Sequence, residues 1–326
     1  MEHPGTEDDF PEMKNMTSED ADALQVRARQ NVVLCMLGLI FNGTLLVVVS
    51  ISVRLRRSSK YQLIASLSLA DVMLGLIYLP LDTSMALQGG VWGHGCWLMY
   101  FTYGLQEFVM PTIVSLTLSA LCIEYSATMF CSVTPKLRRR IAVLGVCIPW
   151  LTGFLALMPV CLKRIVTSSG SFTAACVDHH WDAPTIIFLI GLFGFLPLTF
   201  LTGALLLMVV CHCCRPPDER IAVRTIISRS EGVYLTHEVA DTFFACLISL
   251  AFNLPFLVDF SLHLQCEGMT CHSPTRGQHV LEVLRTTESI FFPAVWMLGM
   301  EFRHGLFTSC KCCYRYCDVD VENSIT

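Results

Sequence analysis

The chain has 326 residues, of which 53% are hydrophobic and only 15% charged, and its mean hydropathy is +0.56. A soluble domain carries roughly a quarter charged residues, so this balance excludes an ordinary water-soluble domain. The net charge of −5 supplies no basic field for nucleic acid; the expected partner is membrane lipid.

Residues 1–29 open with Glu2, Glu7, Asp8, Asp9 and Glu12. That polar, acidic start lacks the basic and apolar regions of a cleavable signal and predicts a flexible tail. Within it, Asn15-Met16-Thr17 is a glycosylation sequon. Residues 30–303 follow as the seven-transmembrane domain, and 304–326 as the cytoplasmic end of a juxtamembrane helix and the C-terminal tail.

A bilayer core about 30 Å thick needs roughly 20 apolar residues in a helix, because lipid cannot satisfy exposed backbone groups. Stretches of that kind run over Val32–Val53, Tyr61–Leu87, Cys96–Met129, Ile141–Leu162, Pro184–Val210, Val239–Leu262 and Val280–Met300. The expected fold is all-α, a bundle of seven transmembrane helices followed by a short juxtamembrane helix 8. The basic groups Arg54/Arg56/Arg57/Lys60, Lys136/Arg138/Arg139/Arg140 and Arg215/Arg220/Arg224/Arg229 fall in alternate loops. By the positive-inside rule they are cytoplasmic, which puts the N-terminus outside; the expected location is the plasma membrane.

That topology sorts the cysteines. Cys96, opening the third span, and Cys176, in the loop before the fifth, share the oxidising side, which permits a bridge. Cys266 and Cys271 flank a short loop on the same side and form a second candidate bridge, with free thiols as the alternative. On the cytoplasmic side Cys310, Cys312, Cys313 and Cys317 lie beside the membrane edge as candidates for palmitoylation, and zinc ligation is the rival reading. Cys211, Cys213 and Cys214 invite the same reading.

Several residues sit at depths that resemble the rhodopsin-like G-protein-coupled receptors. They are Asn42 in span 1, Leu67-Ser68-Leu69-Ala70-Asp71 in span 2, Trp150 in span 4, and Pro197, Pro255 and Pro293 in spans 5 to 7. Glu301-Phe302-Arg303 follows Pro293-Ala294-Val295-Trp296 as the family's NPxxY segment leads into helix 8. The likeness runs from about residue 30 to 317. It departs where the family has DRY, here Glu124-Tyr125-Ser126 with no switch arginine. It departs again at Phe252-Asn253-Leu254-Pro255 in place of CWxP, and at Phe292 and Trp296 in place of the asparagine and tyrosine of NPxxY.

The resemblance implies a receptor for an extracellular ligand that signals to a heterotrimeric G protein or arrestin. It implies that Asp71 helps bind a sodium ion and couples the ligand to the cytoplasmic face. An ionisable residue inside a span is costly and usually faces protein or water. Glu288, five residues before Pro293, and its neighbour Ser289 are expected to face the Asp71 cavity, where two carboxylates would share a proton or a sodium ion; a separate wet pocket for Glu288 is the alternative. Asp82, Tyr103, Glu107, Asp259, Glu282 and Arg285 are candidates to line a ligand cavity. Glu282 and Arg285, three residues apart, are expected to neutralise each other. Tyr103 stands where amine receptors of the family carry aspartate, which favours a peptide or lipid ligand over an amine.

Retinal chemistry needs a lysine in span 7, and Lys14, Lys60, Lys136, Lys163 and Lys311 are all expected outside the spans. No histidine is expected well inside a span, so neither a nucleophile with its base nor a catalytic metal is indicated. A transporter lacks an internal repeat to support it. The alternative within the receptor reading is a non-coupling or decoy protein with altered switches.

Overall fold

The structure is a computed structural model that describes residues 18–88, 96–131, 135–167, 183–214, 238–265, 276–299 and 302–303. Nearly every described residue is helical, and none of them is in a strand. Helix α1 is Ser18–Ile51 and α2 is the short Val53–Arg57, started by Ser52, whose hydroxyl accepts from the Leu55 N–H. Helix α3 is the rod Ser59–Leu87. Helix α4 covers residues 96–131, α5 is Pro135–Thr167, α6 covers residues 183–214, α7 is Glu238–Gln265 and α8 is Arg276–Leu298.

Five of these helices, α1, α3, α4, α6 and α7, are long and apolar enough to cross a membrane. The helices over the expected fourth and seventh spans, α5 and α8, are not among the five. For α8 the cause is visible in its sequence, which places Glu282, Arg285 and Glu288 within seven residues. Helix α1 begins at Ser18, so residues 18–29 of the stretch expected as a flexible tail are helical. Helix α3 starts at Ser59 and takes in Lys60, and α6 continues past Val210 to take in His212. Of the expected helix 8, only Phe302 and Arg303 are described, and both are helical.

Helix α4 is the axis of the bundle. Its most apolar window is 83% buried inside the protein, against 33% to 56% for the other four. The main core joins Leu63 and Leu67 of α3, Leu118 and Leu121 of α4, Leu201 and Met208 of α6, and Phe292 and Trp296 of α8.

Three π turns interrupt the rods, at Leu74–Tyr78, Leu105–Val109 and Gly191–Phe195. Each ends two residues before a proline: Pro80, Pro111 and Pro197. Proline has no N–H to offer the preceding turn, so each site leaves a carbonyl that its own helix cannot satisfy. Neighbouring helices supply the donor. Cys35 Sγ of α1 reaches the Gly75 carbonyl at 3.2 Å, Arg285 Nη2 of α8 reaches Gln106 at 2.5 Å, and Thr112 Oγ1 of α4 reaches Phe193 at 2.9 Å. Pro293 repeats the arrangement without a π turn: the Ser289 carbonyl, four residues earlier, accepts from Asn42 Nδ2 of α1 at 2.7 Å.

Helix α5 docks by close approach. A Cβ at Gly145 would stand 2.7 Å from the Ala120 Cβ of α4 and 2.9 Å from Leu63 of α3, and Trp150 Nε1 donates to Ser66 Oγ of α3 at 2.8 Å. Gly145→Val is therefore expected to lower the thermal unfolding midpoint of the detergent-purified protein, at a cost of about 1–3 kcal/mol. Gly43→Ala, where a Cβ meets nothing within 4 Å, is expected to be neutral or stabilising by about 0.5–1 kcal/mol. Equal effects at the two glycines would refute the close-approach account.

Candidate functional site

The rods run alternately up and down, so the start of α1, the end of α3 and the start of α8 share one end of the bundle. There Arg27 grips Asp82 through both carboxylate oxygens, Nε to Oδ2 at 3.0 Å and Nη2 to Oδ1 at 3.0 Å. Its Nη2 also meets Glu282 Oε1 at 2.9 Å. Asn31, one helical turn beyond Arg27, donates to Asp82 Oδ2 at 2.6 Å, and the Tyr78 hydroxyl donates to Glu282 at 3.3 Å. One guanidinium thus ties α1 to both α3 and α8.

Deeper in the bundle, Arg285 of α8 forms a second tie. Its Nη1 lies 2.6 Å from Glu107 Oε2, its Nη2 caps the Gln106 carbonyl, and its guanidinium carbon is 4.4 Å from the centre of the Phe256 ring on α7. Both side chains of the ion pair are at least nine-tenths buried. The intrahelical pairing expected between Glu282 and Arg285 does not form: Glu282 meets Arg27 of α1, and Arg285 meets Glu107 of α4.

Below Arg285 is a cavity of about 40 Å3, room for a few waters or a small ion. Asp71, Gln106, Asn253, Arg285, Glu288 and Ser289 contribute to its wall. The structure thus brings Asp71, Glu288 and Ser289 together around one space. Asn253 Nδ2 donates to Glu288 Oε2 at 2.8 Å, while Asp71 Oδ2 and Glu288 Oε1 are buried without a hydrogen-bond partner. Buried polar atoms are nearly always satisfied by protein or water, so both oxygens call for a proton, a water or a cation. Among the described residues there is no group of three or more His, Cys, Asp and Glu suited to a metal ion.

At the opposite end, Glu124 of α4 binds Arg138 of α5, Oε1 to Nη2 at 2.6 Å, with both side chains buried. The Tyr125 hydroxyl is 2.9 Å from His212 Nδ1 of α6. Lys60 Nζ of α3 lies 3.9 Å from Asp241 Oδ2 of α7 and 6.0 Å from the centre of the Trp296 ring.

Tyr103 and Asp259 are less deeply placed, Tyr103 at 37% exposure and Asp259 half-buried. Pro255 and Pro293 lie inside α7 and α8. Cys213 and Cys214 are exposed, whereas Cys211 is buried. Asn15, Cys176, Cys266, Cys271, Cys310, Cys312, Cys313 and Cys317 lie outside the described residues, and Cys96 is described only as the first residue of α4. Sequence reasoning passed over Arg27 and Asn31. Their signal was the four-residue spacing, which puts both on one helical face.

Removing one partner of a buried ion pair leaves an uncompensated charge. Glu107→Gln is expected to destabilise the protein by about 3–5 kcal/mol, and adding Arg285→Gln is expected to recover part of that loss. A double-mutant cycle on thermal unfolding measures the coupling; strict additivity would show that the pair is not formed. A scan against models of known protein families finds no match, and no curated protein matches the sequence.

Proposed function

We propose that this chain is a seven-span plasma-membrane receptor of the rhodopsin-like kind, with its N-terminus outside. It takes an extracellular ligand, a peptide or lipid rather than an amine, and passes the signal to a G protein or arrestin on the cytoplasmic side. The observation that carries this reading is the cavity where the buried carboxylates of Asp71 and Glu288 meet inside an apolar helical bundle. Two buried carboxylates placed to share a proton or cation, with ion-paired layers at either end, suit a protein that shifts between arrangements.

Asp71 and Glu288, with the oxygens of Asn253 and Ser289, are the groups that would hold a sodium ion. The two unpartnered carboxylate oxygens fit a cation, and the cavity admits one. Bound there, sodium would supply the counter-charge that lets both acids stay ionised in an apolar interior. Glu288→Gln is expected to abolish the sodium dependence of the protein's thermal unfolding midpoint; a midpoint that responds to sodium as in the native chain would sink this assignment.

A second reading, a non-coupling or decoy protein, is favoured by the positions that replace the switch arginine. Glu124 is tied to Arg138 and Tyr125 to His212, so neither is poised as the family's motif implies. Expression in cells with a panel of G-protein and arrestin sensors separates the two. Coupling by the native chain that Asp71→Ala alters supports the receptor. A response only after Tyr125→Arg supports the silent protein.

A further inference from the structure

Two thiols with no part in the site above face each other across the core. Cys122 of α4 and Cys246 of α7 are each 0% exposed, both are free, and their sulfurs stand 3.5 Å apart. They are separated by 124 residues of chain, so only the tertiary fold brings them together. Leu118, Leu121 and Ala245 belong to the same core cluster. The pair lies between two other cross-helix ties of α7: Asp241, one turn earlier, faces Lys60, and Asn253, two turns later, holds Glu288.

We propose that Cys122 and Cys246 are a redox modification site, which a hydroperoxide converts to a disulfide that staples α7 to α4. One thiol, having lost its proton, attacks a peroxide oxygen. The O–O bond breaks, the sulfur becomes a sulfenic acid, and hydroxide leaves to be protonated to water. The second sulfur attacks the sulfenic sulfur, the S–S bond forms, and the hydroxyl leaves as a second water. Two thiols and one hydrogen peroxide thus give one disulfide and two waters. A small dithiol reductant reverses the change by exchange through a mixed disulfide.

The sulfurs must close from 3.5 Å to about 2.05 Å, a shift within reach of side-chain rotation and slight helix movement. Thiols buried in apolar surroundings react slowly. The oxidant that suits so enclosed a pair is small and uncharged, and the product fixes α7 against α4. The bond therefore removes the freedom of α7 to separate from the axis helix, whatever that movement serves.

The test uses the full chain in lipid nanodiscs, treated with hydrogen peroxide, alkylated to block remaining thiols, digested without reductant and analysed by mass spectrometry. The expected product is a cross-linked pair of peptides containing Cys122 and Cys246, about 2 Da lighter than their sum because two hydrogens are lost. Dithiothreitol should reverse it, and C246S should lack it. The oxidised protein should unfold several degrees higher than the reduced one. The proposal is overturned if both thiols remain alkylatable after denaturation at a peroxide dose that oxidises the exposed Cys213 and Cys214. Accumulation of Cys122 as a sulfinic acid with Cys246 still free would also overturn it. None of these readouts depends on signalling, so the receptor reading and this one can fail separately.

Discussion

A proline inside an apolar helix creates a debt that water cannot settle: a carbonyl with no N–H beneath it, in surroundings that offer no other donor. Here Pro80, Pro111, Pro197 and Pro293 each leave such a group nearby, and a side chain from a different helix meets it: Cys35, Arg285, Thr112 and Asn42. The cost of leaving a buried carbonyl unsatisfied is about 1–3 kcal/mol, so each donor fixes the rotation and depth of its own helix against the broken one. Apolar packing, which tolerates sliding, could not set that register alone.

Arg285 shows how this constraint merges with the charged interior. Its guanidinium satisfies the Gln106 carbonyl and the Glu107 carboxylate at once and lies against Phe256, so one residue of α8 positions α4 and touches α7. The cavity beneath inherits its shape from that arrangement. Asp71 comes from α3, Glu288 from α8 and Asn253 from α7; the proline sites tie α3 and α8 to α1, and the Asn253–Glu288 hydrogen bond ties α7 to α8.

Five of the helices are long and apolar enough to cross a membrane, and that these stretches are helical was legible in the sequence. So were Asp71, Glu288 and Ser289 as neighbours, because their positions relative to the prolines carry depth. What the sequence could not convey was partner choice across helices. Glu282 and Arg285 look like a pair when only the helical period is considered, yet Arg27 and Glu107, 255 and 178 residues away, win them. Arg27 was hidden for a further reason: it falls in a stretch whose acids and lack of aromatics read as tail, although α1 already runs through it. The π turns were hidden too, as no local pattern distinguishes Pro80, Pro111 and Pro197 from prolines that merely kink a helix.

Helix α4 is the most enclosed rod, and it carries Gln106, Glu107 and Glu124 into that enclosure. Glu124 finds Arg138 only 14 residues later, but Glu107 must wait for an arginine 178 residues downstream. At synthesis rates of 5–20 residues per second, that interval is on the order of ten to forty seconds. Throughout it the central helix carries Glu107 without the arginine that pairs with it in the fold. Helix α8 thus brings the guanidinium that pairs with a carboxylate made 178 residues earlier.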